Sequence, residues 1–213
     1  MQQSPIDFTS PEIVPVDVSA AVSLFRPGGF DGHDNNIVFA SPLKLGWDVN
    51  PTYNPLGFHF HSPVEHVLPA ATGAGIAPPQ LEIHIKAADA SGRVVVFAVQ
   101  YQADRAATMA SPTLDALYDS IARDTLGYQG TGLYDTLRLF RDAPFYTYAG
   151  SLTTPPCTTG VRFYVAKTPQ RIPPAQMTKV LGILHRTGMP HANHRTPRQL
   201  TRPAPVVTLI APR

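Results

Sequence analysis

The chain has 213 residues, of which 43% are hydrophobic and 15% are charged, and its formal net charge is +2. This composition predicts a folded chain instead of a disordered one, and the length favours one domain over residues 1–213. The near-balanced charge, with no basic run, argues against a nucleic-acid partner. The longest apolar run, 94–99, is too short to cross a bilayer, so no membrane partner is expected.

Prolines and glycines divide the chain into short segments, because 23 prolines and 15 glycines are spread along it. Prolines and glycines at this frequency are typical of many short strands joined by turns. Alternating or β-branched runs predict at least seven strands. In chain order they cover residues 36–39, 57–61, 81–87, 94–101, 145–149, 161–165 and 206–210.

Two helices are predicted beside these strands. Ser111 is placed to cap the first, with Pro112 in its first turn. The second covers about residues 174–186, with Gly188 as its stop. The apolar positions that share a helix face are Leu114, Leu117, Tyr118 and Ile121 in the first helix, and Met177, Val180, Leu181 and Leu184 in the second. The fold class is therefore mainly β, with short peripheral helices.

The segment FHFHSPVEH at residues 58–66 places two histidines one residue apart. Alternate side chains of a strand share a face, so His59 and His61 point the same way. This spacing suits two imidazoles that converge on one metal ion. A single pair of this kind also fits an ordinary half-exposed strand, so the pair alone does not decide for a metal.

The segment LEIHIK at residues 81–86 repeats this geometry, since Glu82, His84 and Lys86 share a face. If the two strands are neighbours, His84 completes a three-histidine site. Three neutral nitrogens with one open position are typical of catalytic zinc. A structural zinc site needs four protein ligands, commonly with cysteine, and Cys157 is the only cysteine in the chain.

The loop GSLTTPPCTTG at residues 150–160 contains two adjacent prolines, which fix a sharp extended turn. Two threonines precede them. A threonine hydroxyl beside a metal can accept a hydrogen bond from metal-bound hydroxide if the threonine donates its own proton to another acceptor. Glu65 is a suitable acceptor for that proton. An ordinary Thr-Pro loop is the alternative interpretation.

Together these segments resemble the alpha-class carbonic anhydrases, in the order in which that family carries them. The matching segments are QSPID (3–7), GH (32–33), TYNPLGFHFH (52–61), HSPVEH (61–66), LEIHI (81–85), YAGSLTTPPC (148–157) and N-x-R (193–195). The compact HSPVEH segment is similar to the bacterial and plant branch. The resemblance implies a central, twisted, mostly antiparallel sheet of about ten strands with peripheral helices.

The resemblance also implies an activity, the reversible hydration of carbon dioxide to bicarbonate and a proton by zinc-bound hydroxide. The residues that match the family's Zn²⁺ ligands are His59, His61 and His84. Thr153 matches the hydroxyl that orients the hydroxide, and Glu65 matches the carboxylate that takes its proton.

Other matched positions surround this centre. Thr154 matches the threonine that helps hold bicarbonate, and His33 matches the shuttle histidine, with a surface-loop histidine as the alternative. The residues that match the apolar wall of the substrate pocket are Val96, Leu152 and Val161. Glu82 matches the hydrogen-bond partner of His84, and the backbone near Asn193 that of His61. The remaining histidines, interpreted as structural or exposed, are His66, His185, His191 and His194.

Four residues and the start of the chain depart from the family pattern. Gly57 stands where a glutamine usually supports the first ligand, and Lys86 stands in the pocket where an apolar residue is usual. Thr159 and Phe163 replace the usual glutamate and tryptophan. The chain also starts inside the family pattern, without the segment that commonly carries a cysteine partner for Cys157.

These departures leave an alternative, a carbonic-anhydrase-like binding or structural protein with weak or no catalysis. Sulfonamides and small anions are the inhibitors that the resemblance implies at zinc. A secreted or periplasmic location is expected if a signal was trimmed from the start, and a cytoplasmic one otherwise.

Overall fold

A computed structural model describes most of the chain in separate segments. These are residues 2–10, 16–20, 30–33, 36–39, 43–44, 52–69, 72–122, 136, 139–140, 142–186, 194–200 and 206–212. They contain eleven strands and two helices.

The elements follow one another in a strand-rich order. The first seven strands are β1 (Val16–Ala20), β2 (Phe30–His33), β3 (Asn36–Phe39), β4 (Leu43–Lys44), β5 (Thr52–His61), β6 (Ile76–Ala88) and β7 (Val94–Asp104). They are followed by α1 (Pro112–Ala122), β8 (Phe145–Ser151), β9 (Thr159–Ala166), β10 (Gln170–Ile172), α2 (Pro174–Arg186) and β11 (Thr208–Pro212).

Nine strands of the described segments form one sheet, in the order β1-β11-β8-β9-β7-β6-β5-β4, with β10 paired to β7. The pairs β1–β11, β7–β9 and β7–β10 are parallel, and the other five are antiparallel. Strands β2 and β3 form a separate antiparallel hairpin. The mainly β class and the mostly antiparallel sheet are confirmed, with nine strands in place of about ten.

The two faces of this sheet are built from alternating residues of the same strands. On one face, Ile83, Ile85 and Phe97 are fully buried in a core cluster that also takes apolar residues from α1 and α2. On the other face, Val96 and Ala98 belong to a second cluster. The helices therefore cover the first face, and the second face carries His84.

The predicted elements are confirmed, and four short strands were missed. All seven predicted strands are present, and β6 begins five residues earlier than predicted, at Ile76. The missed strands are β1, β2, β4 and β10. Helix α1 begins at Pro112, where the backbone N–H of Leu114 donates to Ser111 Oγ over 3.4 Å. Helix α2 covers Pro174–Arg186, and the predicted stop at Gly188 lies outside the described residues.

Candidate metal centre

Strands β5 and β6 are neighbours, as the histidine spacing required. His59 lies directly opposite His84, and His61 lies opposite Glu82. Directly opposite residues of an antiparallel pair project from the same face of the sheet. The pairing therefore brings all three histidines to one face.

The three imidazoles form a compact cluster. Ring centroids are 4.7 Å apart for His59 and His61, 5.3 Å for His59 and His84, and 4.6 Å for His61 and His84. One ring nitrogen from each histidine lies within 4.8 Å of the other two. His61 and His84 are buried and His59 is partly buried, so the cluster could hold a metal ion shielded from bulk water.

The ring nitrogens of His59 are suited to a metal ion. Both ring nitrogens of His59 are buried and have no hydrogen-bond partner among the described residues. Buried polar atoms are nearly always satisfied, and a coordinated ion would account for one of these two nitrogens. Burial, with the neighbouring His84, His61 and Lys86, lowers the pKa of His59 well below its usual value. The neutral ring keeps the nitrogen lone pair that a metal needs.

Glu82 is a buried carboxylate, and both of its oxygens have hydrogen-bond partners. Its Oε1 lies 2.8 Å from His84 Nε2 and 2.6 Å from His66 Nδ1. Its Oε2 accepts the backbone N–H groups of Glu65 and His66 over 2.7 and 3.0 Å, and Gln100 Nε2 over 3.1 Å. Burial alone would raise the pKa of Glu82, but His66 and His84 hold that pKa well below its usual value.

The ionised Glu82 sets the tautomer of His84. A carboxylate only accepts hydrogen bonds, so Nε2 of His84 carries a proton and Nδ1 is the atom left for a metal. Burial opposes a charge on this ring, yet the hydrogen bond with Glu82 and the charges of Glu82 and Glu65 raise the pKa of His84. A proton therefore competes with a metal for Nδ1. His66, Glu82 and His84 also lie within metal-ligand range of one another, but hydrogen bonds already occupy their facing atoms.

A buried hydrogen-bond chain continues from His66 to the start of the described chain. His66 Nε2 lies 2.8 Å from the Tyr148 hydroxyl, which donates to Ser4 Oγ over 2.9 Å. Ser4 Oγ also accepts the backbone N–H of Ser151 over 3.1 Å. The sequence indicated a structural or exposed His66, and it is fully buried and hydrogen-bonded. The roles of Ser4 and Tyr148 were missed, although both stand in segments that match the family pattern.

Glu65 lies beside two of the three histidines. Its Oε1 accepts the backbone N–H of Arg195 over 2.8 Å and lies 3.4 Å from His61 Nδ1. Its Oε2 is 3.8 Å from His84 Nδ1, too long for a hydrogen bond, and is buried without a partner among the described residues. Thr153, the predicted donor to this carboxylate, is 9% exposed in the loop after β8.

The sequence that builds this centre also matches a known protein family. The model of the family described as Eukaryotic-type carbonic anhydrase matches residues 80–204, more than half of the chain. The chain belongs to this carbonic anhydrase family.

Individual carbonic anhydrases show how far the similarity extends. A carbonic anhydrase of Nostoc sp. is 30% identical over 194 residues, which cover 84% of this chain and 67% of that protein. Alpha carbonic anhydrase 4 of Arabidopsis thaliana is 27% identical over 181 residues, which cover 83% of this chain and 64% of that protein. The chain thus spans about two-thirds of the length of these relatives.

A solved carbonic anhydrase shares the fold. The alpha-carbonic anhydrase of Thermovibrio ammonificans, determined with the inhibitor sulfanilamide, superposes with a TM-score of 0.69 at 24% identity. The match covers 98% of this chain and 86% of that chain. No helix of the described segments combines the length and apolarity needed to cross a bilayer.

The residues matched to the carbonic anhydrase pocket wall pack together. Val96 and Val161 are buried in one cluster, and Leu152 packs against it. Thr154 is exposed in the loop after β8. Phe163, where the family usually has tryptophan, packs with its ring centroid 5.9 Å from that of His84.

Two predicted carbonic anhydrase positions lie at the limits of the described structure. The backbone of His33 ends β2 opposite Asn36, but its side chain is outside the described part. Asn193 is outside the described residues. Arg195, two residues on in the same motif, was missed as a contact residue. Its guanidinium donates to the Ser4 carbonyl over 2.9 Å and to Gln3 Oε1 over 3.2 Å.

Proposed function

We propose that the chain catalyses the zinc-dependent reversible hydration of carbon dioxide, in which carbon dioxide and water give bicarbonate and a proton. The observation that carries this proposal is the opposite placement of His59 and His84, which gathers three imidazoles on one face. Membership of the carbonic anhydrase family supports it.

The residues present fit a zinc ion. His59, His61 and His84 would hold it, because three nitrogen ligands with an open position suit catalytic zinc and their nitrogens lie close together. A zinc ion held there would supply Lewis acidity that lowers the pKa of water at the open position to about 7, the value already known for carbonic anhydrases.

Thr153 and Glu65 are the residues that would orient the attacking water. Thr153 would donate its hydroxyl proton to Glu65 Oε2 and accept a hydrogen bond from the nucleophile, which points the nucleophile's lone pair at the substrate. The buried Oε2 of Glu65, without a partner among the described residues, supports this assignment because a buried carboxylate oxygen needs a donor. The Arg195 backbone N–H holds the other oxygen.

The remaining residues would bind substrate, retain product and remove the proton. The apolar wall that carries Val96 and Val161 would hold the small, neutral carbon dioxide beside the nucleophile. Thr154 would hydrogen-bond bicarbonate. His33 would accept the released proton through water, a role that suits a histidine because its pKa lies near neutrality.

The decisive experiment is stopped-flow carbon dioxide hydration by the zinc-loaded chain, with and without sulfanilamide. We expect hydration well above the buffer rate and its suppression by sulfanilamide. His84→Ala should lose both the zinc and the activity. A zinc-loaded, folded chain that hydrates carbon dioxide no faster than buffer would overturn the proposal.

The alternative is a carbonic-anhydrase-like binding protein with weak or no catalysis. Lys86 and Gly57 favour this alternative. Lys86 puts a cation on the strand face that carries His59 and His84, and Gly57 offers no side chain that could support a ligand histidine. Stoichiometric zinc and sulfanilamide binding without hydration would select the alternative.

A further inference from the structure

Gln100 is a buried amide on β7, the strand beside β6. It lies directly opposite Glu82 in the β6–β7 pair and is 1% exposed. Opposite residues of an antiparallel pair project from the same face, so the Gln100 side chain lies on the face that carries His84. Its amide nitrogen Nε2 donates to Glu82 Oε2 over 3.1 Å and to the backbone carbonyl of His66 over 2.6 Å. Both N–H bonds of the amide are therefore used.

The neighbours of this amide fix the way it points. A carboxylate oxygen and a backbone carbonyl only accept hydrogen bonds, so the NH₂ group of Gln100, which only donates, must face them. If the amide were turned over, its Oε1 would lie against two acceptors. The observed orientation leaves Gln100 Oε1 buried without a partner among the described residues, a cost that the two donated bonds offset.

The two acceptors support different parts of the metal centre. Glu82 Oε1 lies 2.8 Å from Nε2 of His84, a candidate zinc ligand. Glu82 Oε2 accepts the backbone N–H of Glu65, whose carboxylate would orient the attacking water. Glu65 and His66 follow the end of β5 and belong to no strand, and the side chains of Glu82 and Gln100 bind their backbone groups. Gln100 therefore supports both the ligand and the orienting carboxylate without contacting either side chain.

We propose that Gln100 is a positioning residue for the metal centre, which acts through Glu82 to hold His84 and the backbone of Glu65 in their relative places. This inference rests on the proposed function, because it takes the three histidines as zinc ligands. Without the Gln100 amide, the Glu82 carboxylate loses a donor that fixes its orientation, and the His66 carbonyl loses the same donor. Zinc then meets a less ordered set of ligands and binds more weakly.

The test is zinc affinity, measured by chelator competition at pH 7, for Gln100→Met, which keeps the length of the side chain but donates no hydrogen bond. We expect about tenfold weaker binding, the lower end of the loss for residues that support a ligand, because Gln100 acts through Glu82. Gln102→Met is the matched control. Gln102 is 0% exposed on the same face of β7, but neither of its amide atoms has a partner among the described residues, so this variant should bind zinc as tightly as the wild type.

A double-variant cycle separates positioning from a merely structural role. If Gln100 acts through Glu82, Gln100→Met should add little to the loss of zinc affinity in Glu82→Gln, because residues that act through one another are not additive. Losses that add overturn the inference, and so does wild-type affinity in Gln100→Met. If circular dichroism shows that Gln100→Met does not fold, Gln100→Asn decides the test. This variant withdraws the amide from Glu82 by one methylene and should also weaken zinc binding, so wild-type affinity in it overturns the inference.

Hydration assays on the same samples separate this inference from the proposed function. Hydration by the wild type, with zinc affinity independent of Gln100, refutes only the inference. Zinc affinity that depends on Gln100, without hydration, refutes only the proposed function. A folded wild type that binds no zinc refutes both.

Discussion

His66 Nδ1 lies 2.6 Å from Glu82 Oε1, and neither side chain reaches solvent. The same oxygen is 2.8 Å from Nε2 of His84, so one buried carboxylate joins a candidate metal ligand to a structural histidine. Glu82 thus fixes the tautomer that leaves Nδ1 of His84 available. Metal affinity should therefore depend on a residue that does not bind the metal.

Glu82→Gln should weaken zinc binding by roughly 10–100-fold, because the neutral amide no longer orients and polarises His84. The measurement is competition with a chromophoric chelator at pH 7. Asp115→Asn is the control, since it makes the same change of charge on α1, where the Asp115 side chain is 46% exposed. Equal zinc affinity for Glu82→Gln and the wild type would contradict the role assigned to Glu82.

Alkaline pH should destabilise the chain through Tyr148. Burial raises the pKa of Tyr148 well above 10.0; the hydrogen bond to Ser4 opposes this shift, and the charges of Glu82 and Glu65 add to it. Because the folded-state pKa exceeds the unfolded one, this stabilisation is complete below about pH 10 and is lost as the pH rises further.

The measurement is urea unfolding from pH 8 to pH 11 for the wild type and Tyr148→Phe. The wild type should lose up to about 1.4 kcal/mol more per pH unit above pH 10 than the variant. Tyr118→Phe, on the outer helix α1, should retain the wild-type slope. If the free energy of unfolding falls equally with pH in the wild type and in Tyr148→Phe, Tyr148 ionises in the folded chain without destabilising it, which contradicts the prediction.

Two glycines should respond to alanine with opposite signs. A Cβ at Gly150 would collide with Ser4 Oγ and lie 2.8 Å from Cε2 of Tyr148. Gly150→Ala should therefore destabilise the fold by about 1–3 kcal/mol. Gly182 lies in α2 with nothing within 4 Å of the position that a Cβ would take, so Gly182→Ala should stabilise by about 0.5–1 kcal/mol. If the denaturation midpoints of Gly150→Ala and Gly182→Ala shift in the same direction, the close packing of Ser4 on β8 is refuted.

Thr153→Ala should lower kcat/KM for hydration on the order of 10²-fold while zinc content stays unchanged, because the nucleophile loses its orienting partner. Thr153→Ser, which keeps the hydroxyl, should recover most of the rate. Thr158→Ala is the control, since Thr158 is exposed in the same loop. If Thr153→Ala and Thr158→Ala hydrate carbon dioxide equally fast, Thr153 does not orient the nucleophile.

Which side chains share a face of each strand was predictable, because it depends on a local rule. Alternation along a strand placed His59 with His61 and Glu82 with His84, and the β5–β6 pairing brought these sets together. The pairing itself came from the family resemblance and could not be derived from the residues. The contacts of Arg195 were not predictable in this way, since they join residues up to 192 positions apart.

The fold divides similarly into predictable and unpredictable parts. Long runs with alternating or β-branched residues, such as β7, are recognisable because one periodic pattern extends over many positions. Strands β4 and β10 have only 2 and 3 residues, too few to show a period. They are strands because a neighbouring strand supplies their hydrogen bonds, and this information lies elsewhere in the chain.

The most direct test of the account is the zinc content of purified chain after reconstitution and removal of free metal, measured by elemental analysis. The wild type should retain about one zinc per chain, and His59→Ala, His61→Ala and His84→Ala should each retain far less. A folded wild type without zinc, or variants that retain as much zinc as the wild type, would contradict a three-histidine metal centre.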